Sequence, residues 1–347
     1  MAEQEKPDGG DKLILSRRAL VGGVGLGGAV LVGAGWIGGR RVSGQAETTD
    51  PMDMGTFMAM PMPASGPYGG MFDPPDALDA SSLDAITLAP PADELPPGSL
   101  REITFDVVER PIEVGKGVTV NAWTYNGQVP GPTLRAKEGD TLRITLNNRT
   151  EHAHNLHFHG QHSPQMDGWE PIPPGESTVY EIPAGPFGVH PYHCHVMPIS
   201  RHISRGMHGV LIVDPPTPRP PAHEIVLVLC GWDPAEAGKS EVVTWNGIAS
   251  YFSKFPIKVM AGEPVRVYLA NMLEYEPIGS FHLHARTFDV YPTGTLLTPS
   301  AHTDVVTLGM AERAILEFTL PERGRYMFHP HQHWLAERGA MGWFAAI

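Results

Sequence analysis

Four histidine pairs of the form His-x-His are the residues of this sequence best suited to metal chemistry. They are His157/His159, His193/His195, His282/His284 and His329/His331. In a β-strand, residues i and i+2 project from the same face, so each pair presents two imidazoles side by side. Eight neutral nitrogen donors suit copper better than calcium or magnesium. The four pairs therefore predict a histidine-rich copper site.

The second His-x-His pair of the first domain encloses a sulfur ligand. Cys194 lies between the two histidines of that pair, so its side chain faces the opposite side of the strand. A blue copper site needs two histidines, a cysteine thiolate and a weak axial methionine. His202 and Met207 follow Cys194, and His154 precedes the first His-x-His pair. These residues predict a second kind of copper site, joined to the first by a short backbone segment that carries electrons.

The segments that must position these motifs predict an all-β fold with two similar domains. The chain has 39 glycines and 35 prolines among 347 residues, and short alternating runs such as EITFDVVER and TLRITLNN lie between turns. Residues 125–148 and 245–272 repeat one plan: aromatic-Asn-Gly, an apolar segment, a Gly-acid turn and a strand that ends in Asn. The repeat length favours two β-sandwich domains, 101–215 and 216–347.

The N-terminal residues 1–46 predict an export signal. Ser16-Arg17-Arg18 precedes an uncharged, Gly-rich apolar stretch over residues 21–39, a pattern typical of twin-arginine signals. The alternative is a transmembrane anchor, because the stretch approaches the ~20 residues that span a bilayer. Both place the rest of the chain outside the cytoplasm, whether periplasmic, on the cell surface or secreted.

Residues 47–100 are predicted to form a tether rich in Pro and Met. Its six closely spaced methionines are Met52, Met54, Met58, Met60, Met62 and Met71. Thioethers are soft ligands for Cu(I), so copper capture is one interpretation and a plain linker is the other.

Composition and charge exclude other classes of site. The net charge is −13 and no run of Lys or Arg occurs, so we expect no nucleic-acid partner. Cys230 ends the apolar run EIVLVLC, so we expect a buried core cysteine with no disulfide to Cys194.

Together these motifs resemble those of the multicopper oxidases. The likeness is carried by HAHNLHFHG, MDG, YHCH and HISRGMHGVLIVDPP in the first domain, and by SFHLHARTF and YMFHPHQHW in the second. It is closest to the small two-domain, laccase-like members and covers about residues 101–347. The loop from Cys194 to Met207 is also similar to that of two-domain copper nitrite reductases. The resemblance implies two cupredoxin-like Greek-key β-sandwich domains.

The resemblance also implies a role for each ligand. The type 1 copper would be bound by His154, Cys194, His202 and Met207, the type 2 copper by His157 and His282, and the two type 3 coppers by His159, His193, His195, His284, His329 and His331. Asp167 matches an acidic residue that assists proton delivery, and His193 and His195 would receive electrons from Cys194. Each chain equivalent would thus hold one type 1, one type 2 and two type 3 coppers.

The second domain lacks a complete type 1 set. In the aligned sequence Gly279 stands for His154, Pro330 for Cys194, Arg338 or Ala336 for His202, and Met341 for Met207. We therefore expect one type 1 copper per chain, in the first domain.

Each domain supplies four of the eight remaining histidines. The resemblance implies a homotrimer whose trinuclear clusters lie at subunit interfaces, although pairing within one chain would use the same ligands.

The implied function is a multicopper oxidase. It would couple one-electron oxidation of phenols, aromatic amines or metal ions, at an exposed edge near His202, to four-electron reduction of dioxygen to water. The first alternative is a copper nitrite reductase, which needs one type 2 copper and has an acid where His157 stands here. The second is a non-catalytic copper-storage protein or electron carrier.

Overall fold

The computed structural model describes residues 71–78 and 86–347. The export or anchor segment lies outside these ranges, as do all the tether methionines except the exposed Met71. The predictions for those segments stay predictions. Within the described ranges, no helix has the length and apolar character needed to cross a bilayer.

Strands are the main regular structure of the described part of the chain and helices are few and short, which confirms the predicted all-β class. The first half contains β1 (Leu100–Gly115), β2 (Val118–Tyr125), β3 (Leu134–Lys137), β4 (Thr141–Asn148), β5 (His157–Phe158), β6 (Ser177–Pro183), β7 (Gly188–His193) and β8 (His208–Asp214). A 3-10 turn, Pro164–Met166, follows β5, and the helix Ile199–Ser204 separates β7 from β8.

The second half contains eleven strands among the described residues. They are β9 (His223–Trp232), β10 (Val242–Trp245), β11 (Ile257–Val259), β12 (Pro264–Met272), β13 (Ile278–Leu283), β14 (Phe288–Pro292), β15 (Ala301–Thr303), β16 (Val305–Gly309), β17 (Arg313–Thr319), β18 (Gly324–His329) and β19 (Gly342–Ala346). Short helices occupy Tyr251–Lys254 and His333–Glu337.

Each half is a sandwich of two sheets. In the first half the strand orders are β2-β1-β4-β6 and β3-β8-β7-β5, and in the second half they are β10-β9-β12-β17-β14-β15 and β11-β19-β18-β13-β16. Parallel pairs recur at matching places, β1 with β4 and β9 with β12, and β3 with β8 and β11 with β19. The two halves are therefore copies of one Greek-key plan, as the sequence repeat predicted.

The halves meet through strands that bury both faces. In β8, Leu211 and Val213 point into the first sandwich, while Val210 and Ile212 pack against the second half. The run that contains Cys230 does the same in β9, which explains why it is continuously apolar rather than alternating. This shared apolar layer holds the halves in one orientation.

A cavity of about 460 Å³ between the halves lies away from the histidine motifs. The partly buried Arg135 pairs with Asp214 and Glu224, and the buried Arg266 pairs with Glu224 and Glu317. We assign this cavity a structural role, because these charges already satisfy one another.

Candidate copper centres

The predicted type 1 ligands converge in the first half. His154 lies before β5, Cys194 directly after β7, and His202 on the helix Ile199–Ser204. The two Nδ1 atoms lie 3.2 Å apart, and Cys194 Sγ lies 3.2 Å from His202 Nδ1 and 3.9 Å from His154 Nδ1. Met207 is fully buried in the same core cluster as Cys194, and its carbonyl accepts the Cys194 N–H at 3.1 Å.

The protonation states of this trio suit a soft metal ion. Burial lowers the pKa of His154 to about 3 and that of His202 to about 4, so both imidazoles are neutral at physiological pH. Burial raises the pKa of the Cys194 thiol to about 11, so a coordinated metal is what makes it a thiolate. Two neutral imidazoles, one thiol and a buried thioether are the donor set of a blue copper site.

Four histidines of the first half form a second cluster on the other side of the strand. His159 Nε2 and His193 Nε2 lie 3.2 Å apart, and the ring of His157 lies 5.2 Å from the rings of His193 and His195. His157 Nδ1 donates to the carbonyl of Asp167 at 2.8 Å, and His193 Nδ1 donates to the carbonyl of Cys194 at 2.9 Å. These bonds fix the tautomers and leave the Nε2 atoms to bind metal.

The second half repeats this cluster. His284 Nε2 and His329 Nε2 lie 3.0 Å apart, and the rings of His282 and His331 lie 5.1 Å apart. His282 Nδ1 donates to the carbonyl of Asp304 at 2.8 Å, and His329 Nδ1 donates to the carbonyl of Pro330 at 2.8 Å. We call the two clusters the first quartet (His157, His159, His193, His195) and the second quartet (His282, His284, His329, His331).

Two polar side chains that sequence reasoning missed support the quartets. Asn155 Oδ1 accepts the backbone N–H of His195 at 2.6 Å, and Ser280 Oγ accepts that of His331 at 2.7 Å. Each lies two residues before the first His-x-His pair of its half, so the repeat carried a signal for them. Such outer hydrogen bonds orient metal ligands.

The two quartets do not meet within the described part of one chain. Every group of ligand atoms found within 4.8 Å of one another takes its histidines from a single half. His284 and His331 are exposed, and His157 and His159 are only partly buried. Each quartet is therefore an open half-site on this chain.

Asp167 lies beside the first quartet. Its Oδ1 is 3.3 Å from His157 Nδ1 and 3.5 Å from His162 Nε2, so His162, for which no role was predicted, also lies at the site. The turn is held against β5 because Gly168 has φ +75°, and a Cβ there would approach the Leu156 carbonyl to 1.8 Å. Asp167 is thus both a turn residue and within one water of the predicted metal ligands.

The predicted counterparts of His202 and Met207 in the second half are wrong. Met207 N–H bonds the carbonyl of His202 at 3.2 Å, and its counterpart is Ala340 N–H, which bonds the carbonyl of Leu335 at 3.3 Å. The strand register agrees, since Gly209 lies opposite Tyr192 and Gly342 opposite Phe328.

Leu335 therefore stands for His202 and Ala340 for Met207, rather than Arg338 or Ala336 and Met341. The second half has no counterpart of Val196-Met197-Pro198, and this three-residue difference shifts the alignment of the loop.

The position of the type 1 site is filled by core in the second half. Leu335 and Ala340 are fully buried in the main apolar cluster of that half. A Cβ on Gly279 would approach Leu229 Cδ2 to 2.7 Å, so no histidine fits there. Among the described residues, the second half therefore has apolar core at this position, and a single type 1 copper per chain stays a prediction.

The expectation of an exposed edge at His202 is wrong. His202 is 4% exposed, because the indole of Trp123 lies 4.7 Å from its ring. Cys230 is buried as expected, with its Sγ 3.2 Å from His208 Nε2, and both cysteines are free.

Comparisons with known proteins agree with this architecture. Two family profiles described as Multicopper oxidase match residues 106–218 and 232–346. A solved structure described as a multicopper oxidase is 44% identical, with a TM-score of 0.72, over 76% of this chain and 96% of that chain. The chain belongs to the multicopper oxidase family, and copper is the metal its ligands hold.

Curated relatives have more than one activity. The copper-containing nitrite reductase of Neisseria gonorrhoeae is 29% identical over 290 residues, which cover 76% of this chain and 73% of the relative. Laccase-13 of Arabidopsis thaliana is 37% identical over 128 residues, which cover 32% of this chain and 22% of the relative.

Proposed function

We propose that this chain is a laccase-like oxidase that takes single electrons from a reducing substrate and passes four of them to dioxygen, giving water. The proposal rests on the two equivalent quartets. The Nε2 atoms of His159 and His193 lie 3.2 Å apart in the first quartet, and those of His284 and His329 lie 3.0 Å apart in the second. Eight histidines suit a cluster of one type 2 and two type 3 coppers better than a single type 2 copper. Copper supplies the one-electron redox chemistry and the binding of dioxygen.

The protein's own residues provide the electron path between the metal sites and the supply of protons. Cys194 lies on the strand between His193 and His195, so one short covalent segment joins the two metal sites. Asp167 holds a carboxylate beside His157 and His162, where it can deliver protons through one water.

A homotrimer would complete the cluster. Each chain carries two open half-sites, so the first quartet of one chain needs the second quartet of another. A heterologous interface of this kind gives a closed ring of three chains when the rotation between neighbouring chains is 120°. Export by the twin-arginine route is part of the same proposal and is supported by residues 16–39.

Nitrite reduction is the second candidate, favoured by the long match to curated nitrite reductases. His157 argues against nitrite reduction. It lies three residues after His154, at the position where the nitrite reductases that this sequence resembles have an acidic residue.

The test is a copper count on the fully loaded protein combined with activity assays. Four coppers per chain with oxygen uptake on a phenol or on Cu(I) support the oxidase. Two coppers per chain with nitrite consumption would overturn it. Copper binding without turnover of either acceptor would indicate the storage or carrier alternative. Light scattering on the same sample measures whether the assembly has three chains.

A further inference from the structure

Trp123 covers the type 1 ligands. The residue is 1% exposed, and its ring centroid lies 4.7 Å from that of His202 and 5.2 Å from that of His154. The exposed His152 lies 4.7 Å from the same indole. On this side of the site, Trp123 therefore lies between His202 and His152 at the surface.

Two guanidinium groups lie on the indole. Arg205 Cζ is 4.7 Å and Arg201 Cζ is 5.3 Å from the ring centroid. Glu236, from the second half, pairs with both arginines. Beside them, a surface cavity of about 260 Å³ is lined by Arg201, Arg205, Glu236 and Tyr275, on the outer face of the helix that carries His202.

The second half shows what this position holds when no copper ligands are present. The backbone N–H of Trp123 donates to the carbonyl of Arg205 at 2.9 Å. The equivalent bond in the second half runs from the backbone N–H of Val243 to the carbonyl of Arg338 at 3.1 Å. Val243 is thus the counterpart of Trp123. The same fold is built with a small β-branched residue there, so the fold by itself does not require an indole.

We propose that Trp123 is the bridge through which electrons reach the type 1 copper, and that the Arg201–Arg205 face is the docking site for anionic electron donors. This inference rests on the proposed function, since it names the donor class of the same oxidase. In each event the donor loses one electron and the type 1 copper goes from Cu(II) to Cu(I), with no bond made or broken. The indole is not itself oxidised, because two adjacent cations disfavour positive charge on the ring.

The charges of this face explain the choice of donor. The chain as a whole has a net charge of −13 and repels anions, so an anionic donor would approach only where the surface is locally positive. Of the charged side chains that line the cavity, Arg201, Arg205 and Glu236 reach the surface, while Asp233 is buried and accepts the backbone N–H groups of Ala237 and Gly238, so the exposed charges are two cations and one anion.

The test is anaerobic stopped-flow bleaching of the visible type 1 band, with hexacyanoferrate(II) as the anionic probe and hexaammineruthenium(II) as the cationic probe. Because dioxygen is absent, the measurement is independent of which acceptor the enzyme uses. Trp123→Val copies the second half, and Trp123→Phe is the conservative variant if Trp123→Val fails to load copper. The type 1 reduction potential of each variant is measured by redox titration.

We expect Trp123→Val to slow reduction by both probes by about tenfold at a matched driving force, with Trp123→Phe between it and the wild type. The double variant Arg201→Gln/Arg205→Gln should slow the anionic probe by about tenfold and leave the cationic probe unchanged or faster. Arg143→Gln, an exposed charge on β4, is the control and should alter neither rate.

If the changed type 1 reduction potential fully explains the rates of the Trp123 variants, Trp123 is not the bridge. Equal effects of the arginine variants on both probes would overturn the anionic docking site. Loss of oxygen uptake with normal bleaching would instead count against the proposed function.

Discussion

Each half of this chain holds four histidines in the same arrangement. The halves differ on the opposite side of the segment that carries the second His-x-His pair. In the first half, Cys194 faces His154 and His202 and forms a candidate metal site. In the second half, Leu335 and Ala340 fill the equivalent space as apolar core. A metal site and a packed core are thus alternative uses of one location in the same fold.

The comparison also explains how the cysteine position changed without loss of the quartet. The quartet needs only a backbone carbonyl at that position, which accepts from His193 Nδ1 in one half and from His329 Nδ1 in the other. Proline keeps its carbonyl and loses only the N–H. In the first half that N–H bonds the Met207 carbonyl and ties Cys194 to the copper loop.

The largest expected effect comes from Cys194→Ser. Without the thiolate the visible type 1 band should disappear and oxygen uptake should fall to background, because the donor path to the quartets is cut. Visible spectroscopy and an oxygen electrode measure this. The matched control is Cys230→Ser, which should keep both signals, and a blue Cys194→Ser protein would refute the assignment.

His159→Ala and His284→Ala test whether the two quartets are equal partners in one cluster. Each should bring oxygen uptake to the level of copper-free protein while the visible band stays, because the type 1 site is on the other side of the strand. Copper analysis and visible spectroscopy measure the two effects. If His284→Ala retained full uptake, the second quartet would have no part in the cluster.

Asn155→Ala and Ser280→Ala sharpen the comparison further. Each removes the acceptor of one histidine backbone N–H, and such outer contacts are worth about 10–100-fold in metal affinity or activity. Asn155→Ala should be the more damaging, because Asn155 Oδ1 also lies 3.5 Å from Cys194 Sγ. Isothermal titration with copper measures the affinities. A larger effect at Ser280 would contradict this ranking.

Leu335→Ala should have the smallest effect on copper. The side chain occupies the place of His202 but packs only against core, so its truncation should cost about 2–5 kcal/mol of unfolding free energy and leave the visible band intact. Urea unfolding of the copper-free protein measures the cost. Leu296→Ala, at an exposed position, serves as the control. A bleached Leu335→Ala protein would show that this position still serves the metal.

Much of the site was predictable because short-range geometry decides it. The period of two along a strand places both histidines of a pair on one face and Cys194 on the other, wherever the strand lies. The repeated motifs likewise predicted two sandwiches, since each copy carries the strands and turns of a complete domain.

The loop after Cys194 was not predictable to the same degree. An alignment that matched residue types paired Met341 with Met207, because the position of a three-residue difference in a loop leaves no mark in the pattern of residues. Backbone hydrogen bonds and the pairing of Gly342 with Phe328 decide the register, and both are made with strands distant in sequence.

The sequence by itself determined the ligand types, their pairing on strand faces and the presence of two copies of the fold, because these depend on residue identity and local backbone geometry. Only the tertiary structure decided that His202 is covered by Trp123, that Asn155 and Ser280 hold the quartets, and that the quartets stay apart within one chain. Those features depend on which distant strands pack together, and packing is a property of the whole fold rather than of any one segment.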